Sequence, residues 1–374
     1  MDVLIIGGGI AGLSCGAALA NRASVVVLER ETAVGFHSSG RSATWLHLGI
    51  GTALVRALTA ASREFFSQPP ATPDNPPVSV PHAALFVARA EEMDQLDELE
   101  CAMRCVSEQV RRMNADALRI AVPMLRTGDE AFVAGVCDEG ARRIDSHALL
   151  QHHQRTIANH GGRVKRGTRI QSISRNQGRW TVATADGTWS AHTLVNAAGA
   201  WADEIAAMAG VNRLGITARR RTIIGFAGPA DVDIASFPFL KTVIEDGFYM
   251  LPESGRLLAS PMDATPVEPG DAQPEEIDVA TAAWRVEEAT TLKIDRITAR
   301  WAGLRSFFPD NNPAVGYDSR VDGFFWLAGQ GGAGLQTSPA LAAAAASLIL
   351  REPWPEQLES FSIAPDILSP ERFD

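Results

Sequence analysis

Three segments of this 374-residue sequence contain residue types that could bind a ligand or position a reactant. A glycine-rich turn, Gly7–Gly12, follows an apolar run, and a second glycine-rich segment, Gly329–Gly334, lies near the C-terminus. Glycines let backbone N–H groups approach a phosphate or the edge of a planar ring. Arg305 stands among aromatic and apolar residues in Trp301–Phe307. Because burying a guanidinium without a partner is costly, Arg305 is expected to bind a carboxylate, either of a ligand or of the protein itself.

The N-terminal turn has the surroundings of a nucleotide-binding unit. An apolar strand, Asp2–Ile6, ends at the turn, and a helical segment follows it. Gly7 permits the tight turn, Gly9 lets a pyrophosphate approach the backbone, and Gly12 lets the helix pack on the strand. After a second strand, Glu29 lies 20 residues beyond Gly9, where such a unit places an acceptor for ribose hydroxyls. The alternative is a structural turn and a surface acid, but the order of the elements favours the nucleotide site.

Composition narrows the class of protein. The 34 basic and 44 acidic residues give a net charge of −10, which argues against a general nucleic-acid or anionic-membrane binder. Four cysteines occur and none forms a CxxC pair, so we expect reduced thiols and no metal site. The longest apolar stretch, Pro339–Leu350, is too short to span a bilayer, and no export signal precedes the first strand. A cytoplasmic protein of two to three domains is predicted.

The segments that follow the strands resemble a known family. Glu29-Arg30 is followed by Ser38-Ser39-Gly40-Arg41-Ser42-Ala43, and similar matches occur at Asn196–Trp201 and Gly329–Ser338. These segments resemble the D-amino-acid oxidase and glycine oxidase class of FAD proteins. The resemblance covers nearly all of the chain and is strongest to bacterial D-arginine dehydrogenase-like flavoenzymes.

The resemblance implies an α/β fold with two interleaved parts. A glutathione-reductase-type FAD-binding Rossmann domain is expected over residues 1–80, 142–200 and 316–374. A substrate domain of α+β type, built on a mostly antiparallel sheet, is expected over 81–141 and 201–315. The proline-rich segment Pro69–Pro81 is predicted to be a crossover or linker at a domain junction. Ala90–Met113 is predicted to be a charged helical stretch, and three strands within 163–195 are expected to form an antiparallel insert.

The cofactor implied by the resemblance is FAD. Its noncovalent attachment is expected because Ser306–Gly316 contains no cysteine, unlike relatives that attach the flavin through sulfur. Ser338 and Pro339 are predicted to cap and begin a helix whose N-terminus faces the flavin ring. The residues expected near FAD are Gly7, Gly9, Ala11, Gly12, Glu29, Arg30, Ser38, Arg41, Ser42, Ala43, Thr44, Ile170, Ala198, Gly199, Gly331, Gly334, Leu335, Gln336 and Thr337.

The resemblance also implies a substrate clamp. Arg305 and Tyr249 would grip an α-carboxylate, the arginine through both of its terminal nitrogens, and Arg221 would lie on the substrate side. The pocket residues expected beside them are Trp45, His47, Ile50 and Gly332. His47 is either a polar contact or a structural histidine.

Side-chain preference follows from the segments that face the substrate. Neither Thr44–Ile50 nor Ala83–Val87 contains an acid, so apolar or neutral substrates are expected rather than arginine. Glu245 would share the face of Tyr249 if one unbroken strand carried both, and it is the one acid that could hold a cationic substrate.

The predicted activity is oxidative deamination of D-amino acids. Hydride would pass from Cα to flavin N5, and the imino acid would hydrolyse to a 2-oxo acid and ammonia. Because the amine must be neutral, the rate should rise with pH. The alternatives are a secondary-amine oxidase of the sarcosine, glycine or proline kind, a 2-hydroxy acid dehydrogenase, and a non-enzymatic flavin-binding electron carrier or sensor. The electron acceptor, oxygen or a quinone, cannot be predicted from the residues.

Overall fold

The structure, a computed structural model, describes residues 1–68, 76–229 and 232–373. Its strands are β1 (Val3–Ile6), β2 (Val25–Leu28), β3 (Trp45–Leu46), β4 (Ser79–Pro81), β5 (Ala84–Ala88), β6 (Val110–Asn114), β7 (Ala134–Asp138), β8 (Arg142–Ile144), β9 (Arg163–Lys165), β10 (Ile170–Asn176), β11 (Arg179–Thr184), β12 (Gly187–Ala191), β13 (Thr193–Asn196), β14 (Thr217–Phe226), β15 (Phe239–Thr242), β16 (Tyr249–Glu253), β17 (Arg256–Ser260), β18 (Ile297–Phe307), β19 (Ala314–Tyr317) and β20 (Phe324–Ala328). Its helices are α1 (Ile10–Leu19), α2 (Ala53–Ser67), α3 (Met93–Arg104), α4 (Ala115–Ala121), α5 (Ser146–Asn159), α6 (Ala202–Met208), α7 (Glu276–Ala289), α8 (Gly334–Leu350), α9 (Glu356–Glu359) and α10 (Pro365–Leu368).

A six-stranded sheet carries the predicted nucleotide unit. Its strand order is β19-β20-β13-β1-β2-β9, and all neighbours are parallel except β19 and β20. The apolar runs Val3–Ile6, Val25–Leu28 and Phe324–Ala328 are buried throughout, as expected of parallel strands that are covered on both faces. Helix α1 packs against α8 on this sheet. The carboxyl ends of β1, β2 and β13 therefore open toward the turn at Gly7.

An eight-stranded sheet forms the second large element. Its order is β18-β14-β17-β16-β15-β5-β7-β6, and every neighbouring pair is antiparallel except β15 with β5. Alternation along each strand separates its two faces. Ile224 and Leu240 pack with Val286 of α7 on one face, whereas Phe239 and Tyr249 pack with Trp45, near the six-stranded sheet, on the other. The predicted α/β class, with a Rossmann-type unit and a mostly antiparallel sheet, is confirmed.

The three-stranded insert is confirmed as an antiparallel sheet of β10, β11 and β12. The strands expected over Arg163–Ile173 and Thr188–Val195 are each divided, because β9 and β13 belong to the six-stranded sheet. Strand β13 then returns to the six-stranded sheet beside β1. A further small sheet joins β3, β8 and β4. Of the predicted crossover Pro69–Pro81, residues 69–75 lie outside the described residues, and Ser79–Pro81 forms β4. No helix within the described ranges is both long and apolar enough to cross a membrane.

Two predicted elements are wrong in extent. The helical stretch expected over Ala90–Met113 ends at Arg104, and Val110–Asn114 forms β6 at the edge of the eight-stranded sheet. The ladder that β6 forms with β7 links residues distant in sequence, which local periodicity does not reveal.

The helix predicted to start at Pro339 begins one turn earlier, at Gly334. Ser338 is inside it and is not a cap. Its hydroxyl donates to the carbonyl oxygen of Leu335 at 2.9 Å, the acceptor that the N–H missing from Pro339 would otherwise have used. The correction moves the N-terminus of α8 to the glycine segment itself.

Candidate active site

The turn after β1 contains two glycines that close packing requires and one whose backbone is open. Gly7 has φ +109°, and a Cβ there would lie 2.4 Å from the carbonyl oxygen of Ala197. A Cβ on Gly12 would lie 2.0 Å from the carbonyl oxygen of Gly7, so this glycine allows the helix to pack. Gly9 is different, because its nearest obstacle would be the Ser39 hydroxyl at 3.4 Å. The backbone at Gly9 is therefore open to a ligand at the N-terminus of α1.

A cavity of about 310 Å³ follows the strand ends of the six-stranded sheet. It is lined by residues of the first turn, the loop after β2, the start of β10, the end of β13 and the second glycine segment. The predicted cofactor residues that line it are Gly7, Gly9, Ala11, Glu29, Arg30, Ser38, Ile170, Ala198, Gly199, Gly331 and Gly334. The structure thus brings together predicted positions from five separate parts of the chain.

A smaller cavity of about 50 Å³ continues toward the eight-stranded sheet. It shares Ser38, Gly331 and Gly334 with the first cavity, so the two adjoin. Of the other predicted residues, it is lined by Arg41, Ser42, Leu335, Gly332, Arg221 and Arg305. The expected nucleotide site therefore leads directly to the expected substrate clamp.

Five predicted cofactor residues do not line either cavity. The Thr44 hydroxyl donates to the carbonyl oxygen of Ile144, and that of Thr337 donates to Ala333. The Gln336 amide donates to the Thr59 hydroxyl at 2.7 Å and to the carbonyl oxygen of His47. The remaining two, Gly12 and Ala43, pack against the protein. The polar side chains of Thr44, Gln336 and Thr337 are therefore hydrogen-bonded within the protein.

Arg41 lines the smaller cavity, but its guanidinium is bound to protein. It forms an ion pair with Asp271 at 2.5 Å and donates to the carbonyl oxygens of Ala272 and Ala302. Ser38 in the same loop donates to the carbonyl oxygen of Leu304 at 2.6 Å. Both residues fasten the loop after β2 to the strand that carries Arg305.

Glu29 lies at the end of β2, as the nucleotide unit requires. Its carboxylate accepts the N–H of Gly8 at 2.6 Å and that of Glu31 at 2.7 Å. A carboxylate has further lone pairs, so Glu29 can still accept ribose hydroxyls. Beside it, the Arg30 guanidinium lies 4.4 Å from the ring centre of Trp201, which also lines the larger cavity. Sequence reasoning missed Trp201, although an aromatic residue in a run of small ones was a usable signal.

These residues fit FAD. An open glycine backbone at a helix N-terminus suits a pyrophosphate, and an acid at the end of β2 suits a ribose. In the larger cavity, the amide nitrogen of Gln330 is buried without a hydrogen-bond partner. Such a donor is costly to leave unpaired, which indicates a ligand there. The N-terminus of α8 would place positive potential near the flavin ring.

Arg305 reaches the smaller cavity from β18, and its Nη1 is buried without a hydrogen-bond partner. No acid among the described residues forms an ion pair with it. A Cβ built on Gly332 would lie 3.0 Å from Arg305 Nε and 3.1 Å from Ile50, so these three predicted residues meet. A buried, unpaired guanidinium nitrogen suits a carboxylate ligand.

Tyr249 and Arg221 lie together beside this clamp. The Tyr249 side chain is buried, and its hydroxyl has no hydrogen-bond partner. Burial and the charge of Arg305 lower the pKa of Arg221 to about 10, while Tyr249 and Asp263 act in the opposite direction. Arg221 Nε donates to the carbonyl oxygen of Asp263 at 2.6 Å. The carboxylate of Asp263 accepts the N–H of Thr222 at 2.7 Å and also lies 3.9 Å from Arg221 Nε, so it offsets part of the positive charge of Arg221 and leaves that of Arg305 without a pair.

His47 lines neither cavity and is a buried histidine packed against Phe86 and Phe239. The His47 ring lies 4.7 Å from that of Phe239, and its Nδ1 accepts the N–H of Gly49. Burial lowers the pKa of His47 to about 3, with smaller contributions from nearby cations. Trp45 donates its indole N–H to the carbonyl oxygen of His82 at 3.0 Å. The structural alternative for His47 is therefore the better description.

Glu245 does not share the face of Tyr249. Strand β15 ends at Thr242 and β16 begins at Tyr249, and Glu245 is exposed in the turn between them. A Cβ on Gly247 would lie 1.8 Å from the Thr242 hydroxyl, so the tight turn requires glycine. The pair Asp246-Gly247 is a hairpin signal that the sequence reading of one extended segment overlooked.

Lys241 is the second residue that sequence reasoning missed. It lies directly opposite Tyr249 in the β15–β16 pair, so the two side chains share the pocket face. The available signal was composition, since only three of the 34 basic residues are lysines and this one lies in an apolar segment.

A Rossmann-type sheet joined to a mostly antiparallel sheet that carries the buried Arg305 Nη1 is consistent with a two-sheet, flavin-dependent oxidoreductase. The model of the family described as DAO, FAD dependent oxidoreductase, matches residues 2–348. The chain belongs to this family, which confirms the suspected class and its FAD cofactor.

Similar proteins share the fold over the whole chain. The glycine oxidase of Geobacillus kaustophilus is 23% identical over 97% of this chain and 96% of its own length. The crystal structure of L-proline dehydrogenase from P. horikoshii covers 100% of this chain and 97% of its own, with a TM-score of 0.84 and 19% identity. That of iminodiacetate oxidase from Chelativorans sp. BNC1 covers 96% and 98%, with a TM-score of 0.79 and 22% identity. At these identities the structural likeness establishes the fold.

Proposed function

We propose that this FAD-dependent oxidoreductase oxidises D-amino acids at the bond between Cα and nitrogen, giving a 2-oxo acid and ammonia after hydrolysis of the imine. One observation carries the proposal: Arg305 Nη1 is buried and unpaired at the end of a cavity that leads from the nucleotide turn. An electron carrier or sensor would have no use for a buried, unpaired guanidinium at this place.

The substrate carboxylate would be held by three side chains. Arg305 provides a guanidinium fork, Tyr249 an unpaired hydroxyl, and Arg221 a second positive charge. Two charge-assisted contacts fix both the position and the tilt of a carboxylate. The gain in rate would come mainly from this positioning. Gly332 leaves the space beside Arg305 that the rest of the substrate requires.

FAD, when bound, accepts the hydride equivalent from the donor C–H bond. The protein's residues would position the donor and exclude water from the pocket. The Nδ1 lone pair of His47 accepts the N–H of Gly49, and burial disfavours the protonated ring, so His47 is a poor acceptor for the amine proton. The substrate amine would therefore lose its proton before the reaction, and the rate would rise with pH.

A secondary-amine substrate on the same clamp is the second candidate. It is supported by the names of the similar proteins, which include a glycine oxidase, an L-proline dehydrogenase and an iminodiacetate oxidase. A 2-hydroxy acid would also satisfy the clamp. The buried side chains of Trp45 and Phe86, which pack in one cluster with Tyr249, support a substrate with an apolar or neutral side chain.

The test is anaerobic reduction of the purified holoprotein by matched D- and L-amino acids, sarcosine, proline and lactate. Bleaching of the flavin band near about 450 nm reports turnover of the donor. The proposal predicts bleaching by D- but not L-enantiomers. Bleaching by secondary amines alone, by hydroxy acids alone, or by no donor would contradict it. Repeating the reaction with oxygen and with a quinone identifies the acceptor.

We also propose that the two large sheets mark two domains with the boundaries expected from the sequence. Strands β1, β2, β9, β13 and β20 fall within 1–80, 142–200 and 316–374, while β19 begins two residues earlier, at Ala314. The strands of the eight-stranded sheet fall within 81–141 and 201–315. Cytoplasmic location remains a prediction.

A further inference from the structure

Lys241 is a cation on the pocket face of the eight-stranded sheet. It faces Tyr249 across the β15–β16 pair and lies beside Phe86 across the β15–β5 pair. Phe239, two residues earlier on the same face, contacts the rings of both His47 and Tyr249. The Lys241 side chain therefore belongs to the same wall as the predicted carboxylate clamp.

Its charge has no counter-ion in the described structure. The ammonium group donates to the carbonyl oxygen of Thr242 at 2.9 Å, and no described acid forms an ion pair with it. Burial and the nearby charge of Arg221 lower the pKa of Lys241 to about 8, with only weak opposition from the exposed Glu245. A lysine in such surroundings is costly unless an anion arrives.

Two other cations with little exposure, in contrast, form ion pairs with acids of the protein. Arg63 pairs with the buried Asp138 at 2.6 Å, and Arg220, on the opposite face of β14 from Arg221, pairs with Asp278 at 2.9 Å. Lys241 and Arg305 share the absence of such a partner among the described residues and also share the pocket face. In a chain of net charge −10, this local excess of positive charge indicates a function.

Arg305 and Lys241 are four strands apart in the eight-stranded sheet, and strands between them carry Arg221 and Tyr249. Arg221 is close enough to both cations for their charges to interact. Tyr249 is on the strand next to that of Lys241, which corresponds to about 4.8 Å between the two strands. A carboxylate held beside Tyr249 and Arg221 would thus lie one strand from Lys241, and a second carboxylate, separated from the first by a few bonds, would reach the ammonium group.

We propose that Lys241 is a specificity-determining residue that binds a second carboxylate of the substrate. The substrate class is then an amine that carries two carboxylates, with the second acid either on the side chain of an α-amino acid or on the amine nitrogen. This inference rests on the proposed function and replaces the preference for apolar or neutral side chains with one for an acidic group.

The test compares acids with their neutral counterparts on the holoprotein. D-glutamate is paired with D-glutamine and D-aspartate with D-asparagine, and iminodiacetate is paired with sarcosine. The variant is Lys241→Met, which keeps the length of the side chain, and its matched control is the exposed Lys293→Met. Kinetics of anaerobic flavin reduction give the apparent affinity and the limiting rate separately.

We expect the wild-type protein to prefer one acid over its neutral counterpart by at least about tenfold, a contribution typical of a charged hydrogen bond. Lys241→Met should raise the KM for the acid by at least about tenfold and leave that for the neutral substrate unchanged. Lys293→Met should change neither. A preference for D-glutamate or D-aspartate would place the second carboxylate on the substrate side chain. A preference for iminodiacetate would place it on the amine nitrogen.

Binding of glutarate and of butyrate to the holoprotein is measured through changes in the flavin spectrum. This measurement distinguishes failure of the inference from failure of the proposed function. If glutarate binds more tightly than butyrate and this difference depends on Lys241, the inference is supported. If, at the same time, no amine reduces the flavin, only the proposed function is overturned. Equal use of acids and their neutral counterparts by the wild-type protein, together with equal binding of glutarate and butyrate, overturns the inference and leaves the proposed function intact. These wild-type comparisons decide the question even if Lys241→Met does not fold.

Discussion

Arg305 and Gly332 approach so closely that a Cβ on the glycine would lie 3.0 Å from the guanidinium Nε. The glycine segment that opens α8 therefore touches the residue that would anchor the substrate. This contact joins the two sheets at the point where the two cavities adjoin. It couples the position of the clamp to the position of the flavin site.

Gly332→Ala should displace Arg305 without preventing FAD binding. The added methyl group also meets Ile50 at 3.1 Å, so the neighbouring side chains must move. We expect the KM of the best substrate to rise at least about tenfold, the cost of weakening one charged contact. Gly270→Ala is the control, because its nearest atom would lie at 3.8 Å. An unchanged KM in Gly332→Ala would show that the contact does not position the clamp.

Tyr249→Phe should weaken substrate binding and leave the fold intact. The hydroxyl interacts with Arg221, which keeps its hydrogen bond to the carbonyl oxygen of Asp263 when the hydroxyl is removed. A lost hydrogen bond to a charged group predicts a rise in KM of about 10- to 100-fold. The sequence contains one other tyrosine, Tyr317, and Tyr317→Phe is the control. Steady-state kinetics decide the matter, and equal behaviour of the two variants would remove Tyr249 from the clamp.

Substitutions of two glycines in the first turn should have different effects on the protein. Gly7→Ala forces a Cβ to within 2.4 Å of Ala197 at φ +109°, and should lower the thermal stability of the apoprotein. A Cβ on Gly9 would have the Ser39 hydroxyl as its nearest neighbour at 3.4 Å, so Gly9→Leu should fold. It should lose at least about tenfold in FAD affinity, because the rest of the leucine would fill the phosphate space. Thermal unfolding and the FAD-to-protein ratio report the two effects. Normal FAD content in Gly9→Leu would place the pyrophosphate elsewhere.

Acid should destabilise the protein through two buried histidines. Burial lowers the pKa of both His47 and His153 to about 3, whereas the unfolded chain has the ordinary value of about 6.5. Their stabilising effect is present above pH about 6.5 and is lost as the pH falls, by about 1.4 kcal/mol per unit for each histidine. Between pH 7 and pH 5, His153→Leu should therefore lose about 2 kcal/mol less stability than the wild type. Denaturant unfolding measures this, and the exposed His160→Leu should follow the wild type.

Most of the candidate nucleotide site could be predicted from residues that are close together in the sequence. The strand, the glycines and Glu29 lie within 30 residues, and their spacing alone sets their geometry. Arg305 was predictable because its apolar neighbours imply burial. Both inferences depend on interactions close along the chain, where pattern is most informative.

The missed features depend on contacts between distant segments. The parallel pairing of β15 with β5 brings Phe239 and Lys241 beside Phe86, and no local pattern encodes that partner. The break before Tyr249 is held in part by Arg285 of α7, which donates to the carbonyl oxygen of Gly247. Because of this turn, Lys241 lies opposite Tyr249, whereas Glu245, the residue that the sequence predicted on that face, is exposed. The start of α8 at Gly334 is a different case, because the hydrogen bond from Ser338 to Leu335 that accommodates Pro339 inside the helix is local.

The central claim is that Arg305 anchors the substrate carboxylate beside the flavin, and Arg305→Met tests it most directly. The matched control is Arg300→Met on the same strand, whose exposed guanidinium pairs with Glu276. In rapid-mixing anaerobic reduction of FAD-loaded protein by its best donor, Arg305→Met should lose at least about 100-fold in second-order rate, and Arg300→Met should match the wild type. Flavin reduction at the wild-type rate in FAD-replete Arg305→Met would contradict the account.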